Sequence, residues 1–363
     1  KVYDNLPTLK ETLTAKLMDS HGFFLQLLST PSPEQETFIQ LSSETGFKKA
    51  VPTLIKVIRQ QKEYSVLKKA LMALGRLANP EDLDVLESFL HSSDLELVKF
   101  TVQALEHNAS PQALDLLFER LGNDRKLNNF ILDVFAQKQD RYCLQLLNQV
   151  LKTGNTMLRN QAKSKILSLG SIAVSFLEQN LFTNDTDLQI LSLEILGKLE
   201  STECVPPIRK LLHLHPKNDN VRFSAYEALG ALPMQKGAYI LGRGLTDPNK
   251  QVRMAAIKAI DLHFNPQLAA GLANITRNRD EESYEVTKTI LAGFSDTIFL
   301  SLLSEENFWA NAKHYLTSSA HPELRDHYYK LLAREGLNEH ARQLSNSSDS
   351  TAPKSKACVV DDS

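Results

Sequence analysis

Apolar residues along this chain fall at helical spacing and are interrupted at regular intervals by short polar breaks. Leu83, Val85, Leu86, Phe89 and Leu90 follow an i, i+3, i+4, i+7 pattern. Val98, Val102 and Leu105 resume it after the break His91-Ser92-Ser93-Asp94. Ser and Asp at such a break predict the N-cap of the helix that follows, because their side-chain oxygens accept from its unpaired first N–H groups. Equivalent breaks stand at Gly122-Asn123-Asp124, Gly154-Asn155-Thr156, Thr183-Asn184-Asp185 and Thr246-Asp247-Pro248-Asn249. Second helices run into turns rich in Pro, Asn or Gly: Ala78-Asn79-Pro80, Ala109-Ser110-Pro111 and Asn265-Pro266. The predicted unit is an antiparallel helix pair.

The unit recurs. A phrase rich in Ala and Leu closes the second helix, as in Ala70-Leu71-Met72-Ala73-Leu74-Gly75, Leu193-Glu194-Ile195-Leu196-Gly197 and Tyr226-Glu227-Ala228-Leu229-Gly230. Taking the last residue of each copy as a marker gives 75, 106, 136, 170, 197, 230, 261 and 292, a mean spacing of 31. One helix pair cannot bury its apolar face alone, so the pairs must stack. The predicted fold is all-α: an α-α superhelix of about eight helix pairs, spanning residues 46–298, with helical caps.

The ends depart from the repeat. Residues 1–45 read as helical through Leu6, Leu9, Leu13, Leu17 and Phe24 to Leu28, but out of phase, as an N-terminal cap would be. Residues 299–344 read as three further helices with clustered aromatics, Phe299, Phe308, Trp309, Tyr315, Tyr328 and Tyr329, which predict a plug on the last repeat. An aromatic docking site is the alternative. Residues 345–356 are a flexible linker by composition.

Two units carry a family resemblance. Leu245-Thr246-Asp247-Pro248-Asn249-Lys250-Gln251-Val252-Arg253, running into Ala255, Ala256 and Ala259-Ile260, resembles a bacterial-type HEAT repeat. Asn220-Val221-Arg222, followed by Ala225, Ala228, Leu229 and Gly230, is a second match. The pattern weakens around 125–150, where the Val-Arg step becomes Leu127-Asn128. The resemblance implies a HEAT-repeat solenoid whose concave face binds a protein partner. Tetratricopeptide repeats fit less well, since their 34-residue period and Trp/Gly/Tyr signature are missing.

Composition agrees with helix and narrows function. There are 59 leucines against 14 Gly and 14 Pro. The formal net charge of -2 argues against a general nucleic-acid surface. No apolar run approaches the roughly 18–20 residues of a membrane helix. Cys143, Cys204 and Cys358 lie far apart, with no CxxC, and Lys1 to Thr30 has no signal-peptide pattern; both point to a reducing, cytoplasmic compartment.

No reactive motif emerges: there is no Gly-rich phosphate loop, GxSxG, HExxH or Cys/His metal spacing, and the chain reads as non-catalytic. His213 and His215, two residues apart, do not share a helical face. No His is followed by Glu, which excludes the deoxyhypusine hydroxylase ligand pattern. The candidate site is a basic stripe. Just after the first buried aliphatic of each second helix stand Lys68, Lys99, Asn128, Arg159, Gln189, Arg222, Arg253 and Thr287. The five cations, Lys68, Lys99, Arg159, Arg222 and Arg253, would either pair with carboxylates of adjacent repeats, Asp247 for example, or dock an acidic or phosphorylated partner segment. Lys163 and Lys258 would extend the stripe.

The last seven residues, Ala357-Cys358-Val359-Val360-Asp361-Asp362-Ser363, resemble the first strand of a response-regulator receiver domain. In that family such an acidic pair holds Mg²⁺ for phosphoryl transfer to a later aspartate, a hard cation taking carboxylate oxygens. The resemblance assigns Asp361 and Asp362 to the metal, but only in a complete receiver; this fragment needs no cofactor. With Lys1 in place of an initiator Met, the chain then reads as the repeat region of a larger two-component signalling protein, with a histidine kinase as a partner of the receiver. Other readings are an acidic tail, a chaperone similar to the HEAT-type phycobilin lyases, and a DNA-binding module similar to the alkylation-repeat glycosylases.

Overall fold

The computed structural model describes residues 12, 15, 16, 19–61, 63–233, 238–278 and 280–345, with Ala238 and Tyr239 described by backbone alone. All regular structure among the described residues is helical, and the chain divides into two units, residues 1–169 and 170–363.

The first unit holds α1 (His21–Ser29), α2 (Gln35–Thr45), α3 (Val51–Gln60), α4 (Tyr64–Leu77) and α5 (Asp84–Leu90). It continues with α6 (Leu95–Asn108), α7 (Pro111–Glu119), α8 (Arg125–Lys138), α9 (Arg141–Leu151) and α10 (Thr156–Ser168). The second unit opens with α11 (Val174–Leu181), α12 (Thr186–Lys198), α13 (Val205–His213), α14 (Asp219–Ala231), α15 (Ala238–Arg243) and α16 (Lys250–Leu262). It ends with α17 (Pro266–Thr276), α18 (Glu281–Ala292), α19 (Asp296–Leu302), α20 (Glu306–Ser318), α21 (Pro322–Arg334) and α22 (Asn338–Ser345). Odd-numbered helices open a pair and even-numbered ones close it, and the eight expected pairs are α3/α4 through α17/α18.

The polar breaks act as caps. Asp94 accepts from the Glu96 and Leu97 amides, Asp124 from those of Lys126 and Leu127, and Asn155 and Asp185 from those of Leu158 and Leu188. Asn218, Asn249 and Asp280 do the same for α14, α16 and α18. Each such cap contributes about 1 kcal/mol. Behind the caps the apolar stripes close on one another. Leu54, Leu71, Leu74, Leu86 and Leu105 are fully buried in the first unit, as are Leu193, Leu196, Leu229 and Ile260 in the second. A fully buried side chain of this size is worth about 1.5–3 kcal/mol.

Within each unit the second helices stack on one another, and the glycine of the closing phrase sets how closely. A Cβ on Gly75 would overlap the backbone of Ala104 on α6. One on Gly197 would stand 3.0 Å from the Ala228 Cα, and one on Gly230 3.2 Å from the Ala259 Cβ. The phrase therefore marks where adjacent second helices touch backbone to backbone. Two of these approaches are followed by a capping bond from the next repeat: Asn108 donates to the Gly75 and Ala78 carbonyls, both at 3.0 Å, and His263 Nε2 lies 3.0 Å from the Leu229 carbonyl.

Two expectations change. The marker at Gly170 is out of register. Every other marker stands twelve residues beyond the N-cap of its second helix, and the twelfth after Asn155 is Leu167. Gly170 is instead a turn residue with φ +60° beyond the end of α10, so Leu-Gly there is a local turn signal that mimics the packing one. At the C-terminal end four helices, α19 to α22, stand where three are expected, the pair rule continuing past residue 298.

The aromatic plug divides in two. Phe299, Phe308 and Tyr328 are fully buried, with ring centroids 6.0 Å (Phe299–Phe308) and 4.5 Å (Phe299–Tyr328) apart. The Tyr328 hydroxyl donates to the Leu291 carbonyl at 3.1 Å. Tyr329 is exposed, and half-buried Trp309 donates to Gln343 at 3.0 Å. Leu6, Leu9, Leu13 and Leu17 lie outside the described residues, as does the linker from residue 346 onward.

Candidate functional site

The five basic residues do not share one helical position. Arg159, Arg222 and Arg253 stand four residues after the N-caps Asn155, Asn218 and Asn249, whereas Lys68 and Lys99 stand five after Glu63 and Asp94. One residue is a rotation of about 100° on a helix, so the two sets face differently. Thr287, seven residues after Asp280, is buried and donates to the Ser283 carbonyl. The first buried aliphatic is an ambiguous ruler, because Val66-Leu67 and Leu97-Val98 each offer two choices.

The fourth position has a common task. In four repeats its side chain turns back to the carbonyl six residues upstream, in the turn between first and second helices. Asn128 donates to the Gly122 carbonyl at 2.8 Å, and Gln189 to that of Thr183 at 2.9 Å. Arg222 donates to the Pro216 carbonyl at 2.7 Å and Arg253 to that of Asp247 at 2.8 Å. Asn, Gln and Arg have in common an N–H donor at the end of an arm, which is all a turn carbonyl needs. Arg222 also donates to Asp219 and to both oxygens of Asp247, on the next repeat, at 2.7, 2.7 and 3.0 Å. Hydrogen bonding to Asp247 raises the Arg222 pKa further above its ordinary value, and that from Asn249, then Arg222, lowers the Asp219 carboxyl. Arg253 reaches Glu285 at 3.8 Å and Thr289 at 3.3 Å. Arg222 and Arg253 thus hold turns and bridge repeats, while Arg159 is half-buried and meets Thr156 at 3.5 Å.

The fifth position is turned to solvent. Lys99 is exposed and pairs with Glu96 one turn away at 3.3 Å. Lys68 is exposed and lies over the Phe100 ring of α6, its Nζ 3.9 Å from the centroid, with Tyr64 meeting the same ring edge-on at 6.5 Å. Among the described residues the Lys68 ammonium meets no carboxylate. On its other side an open groove of about 270 Å³ runs between α2 and α4, lined by Gln40, Ser43 and Glu44 of the first and by Lys68, Lys69, Met72, Ala73 and Arg76 of the second. Lys69 is neutralised by Glu36 at 2.6 Å. Arg76, exposed in the last turn of α4, forms no ion pair among the described residues. Met72 and Phe100 are half-buried. The groove therefore offers two cations without an ion pair among the described residues, one carboxylate, Glu44, on the α2 side, and a polarizable apolar floor with the Phe100 ring as an aromatic shoulder beside it, a combination visible only once α2, α4 and α6 are placed side by side.

Other candidates fall elsewhere. Asp361, Asp362 and Cys358 lie outside the described residues. Cys143 and Cys204 are fully buried, and burial pushes their thiols up to about 12 and about 11, which leaves no thiolate for chemistry at neutral pH. Among the described residues no three His, Cys, Asp or Glu side chains are placed to hold a metal ion, and no helix is long and apolar enough to cross a membrane.

Residues 23–106 and 174–261 match the family of HEAT repeats. The first match begins inside the stretch expected as a cap, consistent with α1/α2 being a helix pair like those that follow. No curated protein matches the chain in sequence. Similar solved structures include an engineered protein at 16% identity, with 93% of this chain and 95% of that chain covered and a TM-score of 0.34. The complex of CpcE and CpcF of phycocyanin lyase from Nostoc sp. PCC7120 matches at 14% identity, 74% and 93% coverage and a TM-score of 0.31. A mutant of Kap121p matches at 12% identity, 94% and 45% coverage and a TM-score of 0.43. With capped antiparallel pairs stacked through their second helices, and the repeat match on both units, the fold is an all-α, α-α superhelix of HEAT-repeat type.

Proposed function

We propose that the chain is a protein-interaction scaffold, and that the surface between α2, α4 and α6 docks an acidic amphipathic helix. The observation carrying this reading is that, among the described residues, Lys68 and Arg76 flank Met72 in the groove without ion-pair partners, against the single carboxylate Glu44 on the facing wall, beside the Phe100–Tyr64 shoulder. Acidic side chains on the incoming helix would meet the two cations, and its apolar stripe would cover Met72 and Phe100. Lys99 would extend the cationic edge, whereas Arg222 and Arg253, spent on turns, would contribute little. The test is to titrate a panel of amphipathic helical peptides of graded charge against the wild-type chain and a Lys68→Glu/Arg76→Glu variant, with Lys152→Glu as a control. Saturable binding of acidic peptides that falls at least roughly tenfold in the double variant, and not in the control, is expected. Equal affinity for basic and acidic peptides would overturn the reading.

A second reading concerns residues 357–363 and rests on their sequence alone. Here the repeats belong to a two-component signalling protein, with Asp361 and Asp362 as the acidic pair of a receiver. Treating the longest natural chain that contains these residues with a small phosphodonor and Mg²⁺, then weighing it, tests this. An Mg²⁺-dependent gain of one phosphoryl group, lost with Asp362→Ala, supports a receiver; no gain returns the pair to an acidic tail.

A further inference from the structure

The first helices of the first unit sort their charges by helix. Residues 46–62 hold five cations and no Asp or Glu. The short 3-10 turn Lys48–Ala50 and α3 behind it place four of them, Lys48, Lys49, Lys56 and Arg59, in solvent. Val51, Leu54, Val57 and Ile58 take the buried side of α3. Lys56 and Arg59, three residues apart, share the opposite side, and Lys48 and Lys49 stand at its start. None of the four forms an ion pair among the described residues.

The neighbouring helix adds an apolar element. α1 packs against α3, and the buried Phe24 ring meets Phe47, the residue before Lys48, edge-on at 5.6 Å. Phe23, one residue back and so turned about 100° from Phe24, is 65% exposed, the most open aromatic ring among the described residues. Leu27, one turn further on, is half-buried. The described acids nearby are Asp19 before α1, Glu34 and Glu63 in the turns after α1 and α3, and Glu81, Asp84 and Glu87 at the next first helix, α5. None of them lies on α1 or α3. Glu36 and Glu44 belong to α2, where Glu36 holds Lys69 and Glu44 lines the groove facing α4.

Exposed cations alone would read as a solvated face. A solvated helix intersperses acids among its bases, which α3 does not, and a bare phenylalanine ring beside the block is surface that water disfavours. We propose that α1 and α3 form a peripheral contact for an anionic lipid bilayer. The four cations meet headgroup phosphates and carboxylates, and Phe23, with Leu27 behind it, enters the boundary between headgroups and acyl chains. An aliphatic neighbour to the ring suits acyl chains. A nucleic-acid strand would instead need rings among the cations on which to stack its bases, and α3 has none. The surface uses first helices and shares no residue with the groove between α2, α4 and α6.

The experiment is cosedimentation of the full chain with phosphatidylcholine vesicles that contain or lack phosphatidylserine, at low and high salt, with a single-stranded oligonucleotide titrated alongside. Four chains are compared: wild type, Lys56→Glu/Arg59→Glu, Phe23→Ser, and Lys152→Glu as a charge reversal elsewhere on the unit, each checked for its helical circular dichroism. Saturable binding to the phosphatidylserine vesicles alone is expected. It should weaken roughly tenfold or more in Lys56→Glu/Arg59→Glu and at high salt, severalfold in Phe23→Ser, and little in Lys152→Glu. Vesicle binding lost with the cations but untouched by Phe23→Ser keeps the charged contact and overturns insertion of the ring. Absence of vesicle binding, equal binding with and without phosphatidylserine, or binding unchanged in Lys56→Glu/Arg59→Glu overturns the proposal. Oligonucleotide binding without vesicle binding overturns it too, and assigns the block to nucleic acid.

Discussion

Arg222 donates through Nε and a terminal nitrogen to both oxygens of Asp247, 25 residues further on, at 2.7 and 3.0 Å, with side chains only 12% and 9% exposed. Bidentate geometry and burial separate this pair from the exposed ion pairs elsewhere on the molecule, which contribute about 0–1 kcal/mol each. The same arginine holds the turn of its own repeat, so one side chain ties two repeats together.

Removing Asp247 should therefore cost more than removing any exposed carboxylate. Asp247→Ala leaves a largely buried guanidinium with only part of its partners, and a loss of about 3–5 kcal/mol in urea unfolding is expected. Glu194→Ala, which breaks the exposed pair with Lys198, should cost less than about 1 kcal/mol. Equal effects would mean that the inter-repeat bridge is energetically ordinary.

Glycine-to-alanine changes should differ in sign with position. Gly75→Ala drives a methyl into the Ala104 backbone and should destabilise by about 1–3 kcal/mol. Gly271 lies inside α17 with nothing within 4 Å of an added Cβ. Gly271→Ala should be stabilising by about 0.5–1 kcal/mol, since alanine loses less backbone entropy in a helix. Chemical denaturation of the two variants side by side tests this.

The Lys68–Phe100 contact should be measurable as a coupling. A double-mutant cycle of Lys68→Ala and Phe100→Leu should give about 0.5–1 kcal/mol, the range for a solvent-exposed cation over a ring. A coupling near zero would leave Lys68 without a fixed position beside the groove.

Stability should fall on the alkaline side. Burial holds the Cys143 and Cys204 thiols at about 12 and about 11, against about 9 for an unperturbed thiol. Unfolding then releases protons once the pH passes about 9, so the contribution is complete below that point and declines as pH rises toward 11–12. The slope is at most about 1.4 kcal/mol per pH unit for each thiol. Urea midpoints at pH 8, 9 and 10 under reducing conditions should fall in that order, and Cys143→Ala/Cys204→Ala should flatten the fall between pH 9 and 10.

Helix pairs, their period and their caps were legible in the amino-acid sequence because they are local. Helical spacing of Leu and Val, and the Asp or Asn one residue before each second helix from α6 to α18, act within a single turn of chain. The Leu-Gly phrase was also legible, since the close approach of second helices at Gly75, Gly197 and Gly230 favours the smallest residue; Gly170 misled because glycine serves turns as well. Register of the basic stripe was not legible. It depends on which of two neighbouring aliphatics is counted first, and a one-residue choice turns a side chain by about 100°. Only the packed repeats decide that Arg222 and Arg253 fold back on their turns while Lys68 stays in solvent over Phe100. The contact of the Arg243 guanidinium with His213 and His215 is likewise tertiary: about thirty residues separate the two turns, and no spacing rule joins side chains that touch only because consecutive repeats are stacked.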